Sequence, residues 1–270
     1  MNRTGPGRGA WRHLATAIRF ALIEHGRNRF AMVLVAVFVP IWISLAHLVV
    51  TPGWVQIRLR ATGEVLRAGG DELTQISGAL NAATLIVGFM MFAATFASGD
   101  FDRRLTMAGY PRIHLLLAKV TALVLASLAV AAYATVVICL YWSPQRPWLL
   151  AVGMFCAAMT YGAFGVTLGA LLKKEVEGMF TIVMISIIDL TVQNPIANPV
   201  ADNRLTDYLP SYGAMQASTA AGFSSTVPFT DLALQLVWFT GAALLAFLVF
   251  DRRTRSALPA APACASVTVG

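Results

Sequence analysis

The sequence predicts an all-α integral membrane protein, with six transmembrane helices preceded by an amphipathic interfacial helix. Three observations carry that expectation. Hydrophobic residues fill 57% of the 270 positions and charged residues only 12%, about half the roughly 25% of a soluble domain. The apolar residues fall in long blocks, separated by short inserts rich in charge, Gly or Pro, as in polytopic helical proteins. Finally, Lys and Arg are distributed unevenly between alternate inserts. The net charge of +7 could suit nucleic acid or a membrane, and the apolar blocks decide for the membrane.

Residues 1–9 are polar, with Arg3, Arg8, Gly and Pro, a composition that favours disorder. Over residues 10–29, Leu14, Ala17, Ile18, Ala21 and Leu22 recur at i, i+3, i+4, i+7 and i+8 and make one apolar stripe. Arg12, Thr16, Arg19 and Arg27 lie off it. An amphipathic, Arg-bearing helix directly before a span is expected to lie along the membrane surface. The alternative is a solvated continuation of the first span.

The transmembrane body runs from 30 to 250, with spans expected at about 30–50, 79–98, 115–142, 148–172, 178–193 and 232–250. The first contains Pro40, tolerated where neighbours satisfy the freed carbonyl. It is too long for a signal-peptide core, so it is expected to be retained. In the loop 51–77, Val55, Ile57 and Leu59 alternate with Gln56, Arg58 and Arg60 before Thr62-Gly63, which predicts a small hairpin. Trp142 and Trp148 flank a Ser143–Pro147 turn at interface depth. The fourth span spaces Gly153/Ala157, Ala158/Gly162 and Gly165/Gly169 four apart, a signal for close helix packing. Residues 194–231 are polar and Pro-broken, with short helices expected around 211–221. Residues 251–270 form the tail.

With the N-terminus inside, the inner segments hold 15 of the 20 Lys and Arg, and the outer segments five. This bias assigns both termini to the cytoplasm. The insert 99–114 is then cytoplasmic too. It carries Asp100, Asp102, Arg103 and Arg104, followed by a Gly109-Tyr110-Pro111-Arg112 break that ends one helix and lets another begin. Such an elbow is either a docking point for a soluble partner or a solvated hairpin.

Chemistry-bearing motifs are sparse. Cys139, Cys156 and Cys264 are unclustered, with neither disulfide nor metal-ligand spacing. No phosphate-binding G-x-x-x-x-G-K-[ST], nucleophile elbow or H-E-x-x-H is present, so no catalytic residue and no metal ligand is expected. One ionisable residue lies inside a span: Asp189, with Ser186 at i−3, Gln193 at i+4 and Asn194-Pro195 beyond. A charged group there is costly and must face the bundle or water. Asp189, Gln193 and Asn194 are either part of a translocation path or a structural knot satisfied by their neighbours.

Taken together, an amphipathic N-terminal helix, six spans, a charged broken elbow after the second and a long broken outer segment resemble the type-2 ABC transporter permease family. The most specific part is the elbow: Asp100 and Asp102, then Gly109-Tyr-Pro-Arg112, then Lys119, follow that family's order. The departure is Arg103-Arg104-Leu105-Thr106, where an acidic Gly-Thr turn would be usual. The resemblance covers about residues 11–255. It implies a bacterial cell-membrane permease, homodimeric and surrounded by lipid, coupled through 99–114 to two copies of a separate ATPase. ATP and Mg would be bound by that partner, with no cofactor on this chain and no nucleic acid. It also implies that Asp100, Asp102, Arg103, Arg104, Gly109, Tyr110, Pro111 and Arg112 contact the ATPase, and that a drug, antibiotic or lipid-like molecule is exported. The competing reading is a gradient-driven secondary transporter or channel without an ATPase, which would want several intramembrane charges.

Overall fold

A long central helix decides the architecture. In the computed structural model, residues 16, 19, 23, 29–51, 53–59, 62–198, 201 and 203–255 are described. The stripe Leu14, Ala17, Ile18, Ala21 and Leu22 expected of the interfacial helix lies outside the described residues, as do 1–9 and 256–270. Among the described residues the chain forms seven α-helices and one two-stranded hairpin.

Helix α1 comprises Arg29–Val33, a π-helical turn Leu34–Phe38, and Val39–Val49. The π turn has a local cause. Pro40 has no N–H to give the Ala36 carbonyl and its ring crowds that oxygen, so the turn before it widens. The Tyr133 hydroxyl donates to Ala36 O at 3.2 Å instead.

Strands β1 (Trp54–Arg58) and β2 (Val65–Gly69) pair antiparallel, with Gln56 opposite Arg67. Leu59 and Leu66 are buried against Ala220, so the hairpin sits as a cap on one end of the bundle.

Helix α2 spans Gly70–Met107, 38 residues. At 1.5 Å per residue that is about 57 Å, nearly twice the roughly 30 Å of bilayer hydrocarbon. Asp71 and Glu72 sit in its first turn, where the helix dipole favours negative charge. From Leu73 to Phe92 it is almost wholly buried. Both ends correct the sequence expectation: 70–77 and 99–107, read as loop, continue the helix. Nothing in 99–107 forces a break, and Asp102 finds an ion-pair partner within the bundle. The first true stop is Gly109, whose φ of 86° suits a residue without Cβ. Gly109 N donates to Thr106 O at 3.2 Å and Tyr110 N to Leu105 O at 3.0 Å, the paired bonds of a Schellman cap.

Beyond the elbow come α3 (Arg112–Tyr141), α4 (Pro147–Leu171) and α5 (Glu175–Gln193). A 3-10 turn at Arg204–Tyr208 leads to the short buried helix α6 (Tyr212–Phe223) and then α7 (Phe229–Arg255). Helix α4 is the second core element and packs most closely on α2. A Cβ at Gly165 would fall on the Gly88 carbonyl oxygen, so glycine there sets how near the two backbones lie.

The expectation of six transmembrane helices is overturned. Among the described residues, four helices are long and apolar enough to cross a membrane: Gly70–Met107, Arg112–Tyr141, Pro147–Leu171 and the Phe229–Arg252 part of α7. The apolar part of α1, Leu34–Val49, is shorter. Helix α5 has 19 residues but carries Glu175, Glu177 and Asp189, and is not among the four.

The bundle has two dissimilar ends. At one, the elbow meets the C-terminal part of α7, where Arg112 pairs with Asp251. At the other, the hairpin packs on α6, and Arg146 N donates to Ala221 O at 2.9 Å.

Candidate functional site: a buried acid, a clamped elbow

Helix periodicity brings Asp189 and Gln193 onto one face of α5, turned into the bundle, where Asp189 is only 2% exposed. Its carboxylate accepts from three elements. The Tyr161 hydroxyl of α4 donates to Oδ2 at 2.5 Å, and the Ser211 backbone N–H, just before α6, donates to the same oxygen at 3.1 Å. Gln193 Nε2 donates to Oδ1 at 2.6 Å and to Ser211 Oγ at 3.0 Å. Every neighbour is a neutral donor, and three donors meet most of the acceptor capacity of a carboxylate. The group is a staple joining α4, α5 and the segment before α6.

The other residues grouped with Asp189 take different partners. Ser186 faces α2, its Oγ 2.8 Å from Thr84 Oγ1, and its carbonyl accepts from Asn81 Nδ2 at 3.3 Å. Asn194 Nδ2 donates to Ser77 Oγ at 2.9 Å, while its Oδ1 accepts from Ile196 N at 2.9 Å and shapes the turn after α5. Asp189 and Gln193 therefore belong to one cluster, and Asn194 to a second one on α2. Sequence reasoning missed Tyr161 and Ser211. A lone Tyr among small residues in an apolar helix looks like packing, and the Ser211 bond is made by backbone.

At the other end, Asp102 and Lys119 make a buried ion pair between α2 and α3, 3.0 Å apart. Lys119 Nζ also donates to Ser98 Oγ at 2.7 Å, and Ser98 Oγ donates to Asp102 Oδ2 at 3.1 Å. The ammonium lies 5.9 Å from the centre of the Phe250 ring of α7. Arg112 Nη1 is 3.7 Å from Asp251 Oδ1. Thus Asp102 and Arg112, two of the eight elbow residues, are ion-paired to other helices of the molecule. Asp100, Arg103, Arg104, Gly109 and Pro111 are exposed, and Tyr110 is half-buried. Exposed Phe101, Met107 and Ile113 lie among them.

Among the described residues no three His, Cys, Asp or Glu side chains gather as metal ligands. The two clusters hold helices together.

The chain is a multi-span, largely helical protein whose apolar helices suit a lipid bilayer. No protein-family model matches it, and no curated protein matches it.

Proposed function

We propose that this chain is the membrane-spanning permease subunit of an ATP-driven exporter in a bacterial cell membrane, working as a homodimer with two copies of a separate ATPase. One observation carries the reading: the elbow is tied to the helices behind it. Helix α2 runs unbroken from the bundle core to Met107, turns through a hydrogen-bonded cap, and restarts behind Pro111. Just behind the turn, Asp102–Lys119 and Arg112–Asp251 tie α2, α3 and α7 together. A push on the tip is then delivered to three helices at once. Helical residues past Ser98 reach about 13 Å beyond the apolar core, far enough to meet a partner outside the hydrocarbon.

Charge supports the orientation. Arg103, Arg104, Arg112, Lys119, Lys173, Lys174, Arg252, Arg253 and Arg255 fall at the elbow end, against Arg58, Arg60, Arg67, Arg146 and Arg204 towards the hairpin end. The richer end is the cytoplasmic one. A gradient-driven transporter fits less well, since Asp189, the acid it would use, is already held by three donors.

The test is purification from native membranes. A stoichiometric ATPase subunit should accompany the chain, the pair should hydrolyse ATP, and the isolated chain should not. Hydrolysis by the isolated chain, or ion-driven transport by the chain alone in vesicles, overturns the reading.

A further inference from the structure

We infer that a cleft between α1, α2 and α5 is a binding site for an amphiphile, a molecule with an apolar chain and a hydroxyl or amide head. The cleft holds about 260 Å³, close to the lower end of small-ligand sites at about 300 Å³. Its walls are apolar: Trp42, Leu45 and Val49 of α1 face Leu190 of α5. Its floor is polar, with Ser77 and Asn81 of α2 and Asn194 at the end of α5. Leu45 and Val49 are exposed at the rim, so in a bilayer the cleft opens sideways onto acyl chains rather than onto water.

Four features make this more than a gap between helices. Asn81 is 6% exposed and spends Nδ2 on Ser186 O at 3.3 Å; among the described residues its Oδ1 takes no hydrogen bond, and an acceptor at lipid depth wants a donor. Gly78 lets the Trp42 ring come close to α2, since a Cβ there would come within 2.8 Å of Trp42 Cδ1. Phe38 stacks on Trp42 with centroids 5.4 Å apart, continuing the wall. That wall also carries a π turn and Pro40 just before Trp42. Such turns often mark functional positions. An apolar chain fits between Trp42 and Leu190, with its hydroxyl or amide N–H given to Asn81. A purely hydrocarbon occupant leaves that acceptor unpaired.

The inference names the substrate class for the proposed exporter and rests on that reading for its purpose. Its test needs no ATPase, so loss of one idea is distinguishable from loss of the other. The full chain is placed in vesicles of phosphatidylcholine and phosphatidylglycerol with a diazirine-tagged long-chain alcohol, irradiated, and mapped by peptide mass spectrometry. Adducts on 42–50 and 190–197 should saturate with dose and be competed by untagged hexadecanol. The exposed face of α7, at Leu236, Val237 and Leu244, should label in simple proportion to dose and resist competition. Asn81→Leu should lower cleft labelling roughly five- to tenfold, the worth of one hydrogen bond, leaving α7 labelling unchanged. Leu45→Trp narrows the rim without touching the floor and should give a similar loss, which decides the matter if the Asn81 variant does not fold. Equal, unsaturable labelling of cleft and α7 means ordinary surrounding lipid and overturns the site. Absence of cleft labelling overturns it too, as a second copy seated there would produce.

Discussion

Asp102 and Asp189 are both carboxylates buried in an apolar bundle, yet their partners differ in kind. Asp102 lies near the elbow, opposite a cation, with Ser98 bridging the two. Asp189 lies towards the hairpin end, and only neutral donors reach it. The first arrangement cancels charge between two helices and leaves little freedom between them. The second spreads one group over three elements, each bond individually replaceable. An ion pair is lost all at once when either member goes, because the survivor stays buried and uncompensated. A set of neutral donors fails by degrees. In the proposed exporter this suits a stiff elbow that carries force and a helix α5 whose attachments can be exchanged.

The largest expected effect comes from cutting the ion pair. Lys119→Met should leave Asp102 stranded and destabilise the fold by about 3–5 kcal/mol, read as equilibrium unfolding in mixed micelles. Adding Asp102→Leu should restore most of that loss, since an apolar pair of similar volume is often neutral in such sites. If single and double variants unfold alike, the pair contributes packing only, and the contrast with Asp189 disappears.

Asp189→Asn comes next, at roughly 2–3 kcal/mol. Tyr161, Gln193 and Ser211 all donate, so an amide NH₂ in place of one oxygen meets a donor and loses a bond. Tyr161→Phe removes one donor of three and should cost about 1–2 kcal/mol. A ratio near two between these variants sharpens the comparison. Equal losses would mean that Tyr161 carries the staple alone.

Much of this was legible locally, and the remainder depended on distance. Alternation at 55–60 and the Thr62-Gly63 turn mark the hairpin, because strand period and turn chemistry are short-range signals. Gly109 and Pro111 mark the stop between α2 and α3 for the same reason. What failed was extrapolation from hydropathy. Charge at 100–104 suggested a loop, but Asp102 is neutralised by Lys119, seventeen positions on, so the helix keeps going. The block at 30–50 looked long enough to span, yet its apolar helical part is Leu34–Val49. Gln193 was placed beside Asp189 by the i+4 rule. Tyr161 and the Ser211 backbone could not be, since their contacts join residues 28 and 22 positions apart. Ser186, named by the i−3 rule, faces Thr84 instead, because a helix face is wide enough to serve two neighbours.

The smallest effect on stability, and the sharpest on function, is expected at the tip of the elbow. Arg103 and Arg104 are exposed, so Arg103→Glu with Arg104→Glu should shift unfolding by no more than about 0.5 kcal/mol per site. If these charges meet an acidic surface on the ATPase, reversal replaces attraction with repulsion, and the partner should fail to co-purify. Pro111→Gly leaves that surface intact and changes only the hinge. Proline fixes φ at the start of α3, whereas glycine frees it, so docking should persist while the push dissipates in the turn. The second variant should therefore keep its ATPase and hydrolyse ATP, yet move substrate into inverted vesicles far more slowly than the parent. Splitting assembly from transport in this way is what a force-carrying elbow demands. If both variants assemble and transport at the parent rate, the Asp102–Lys119 clamp stiffens a turn that nothing pushes, and the contrast between the two buried acids is one of stability alone.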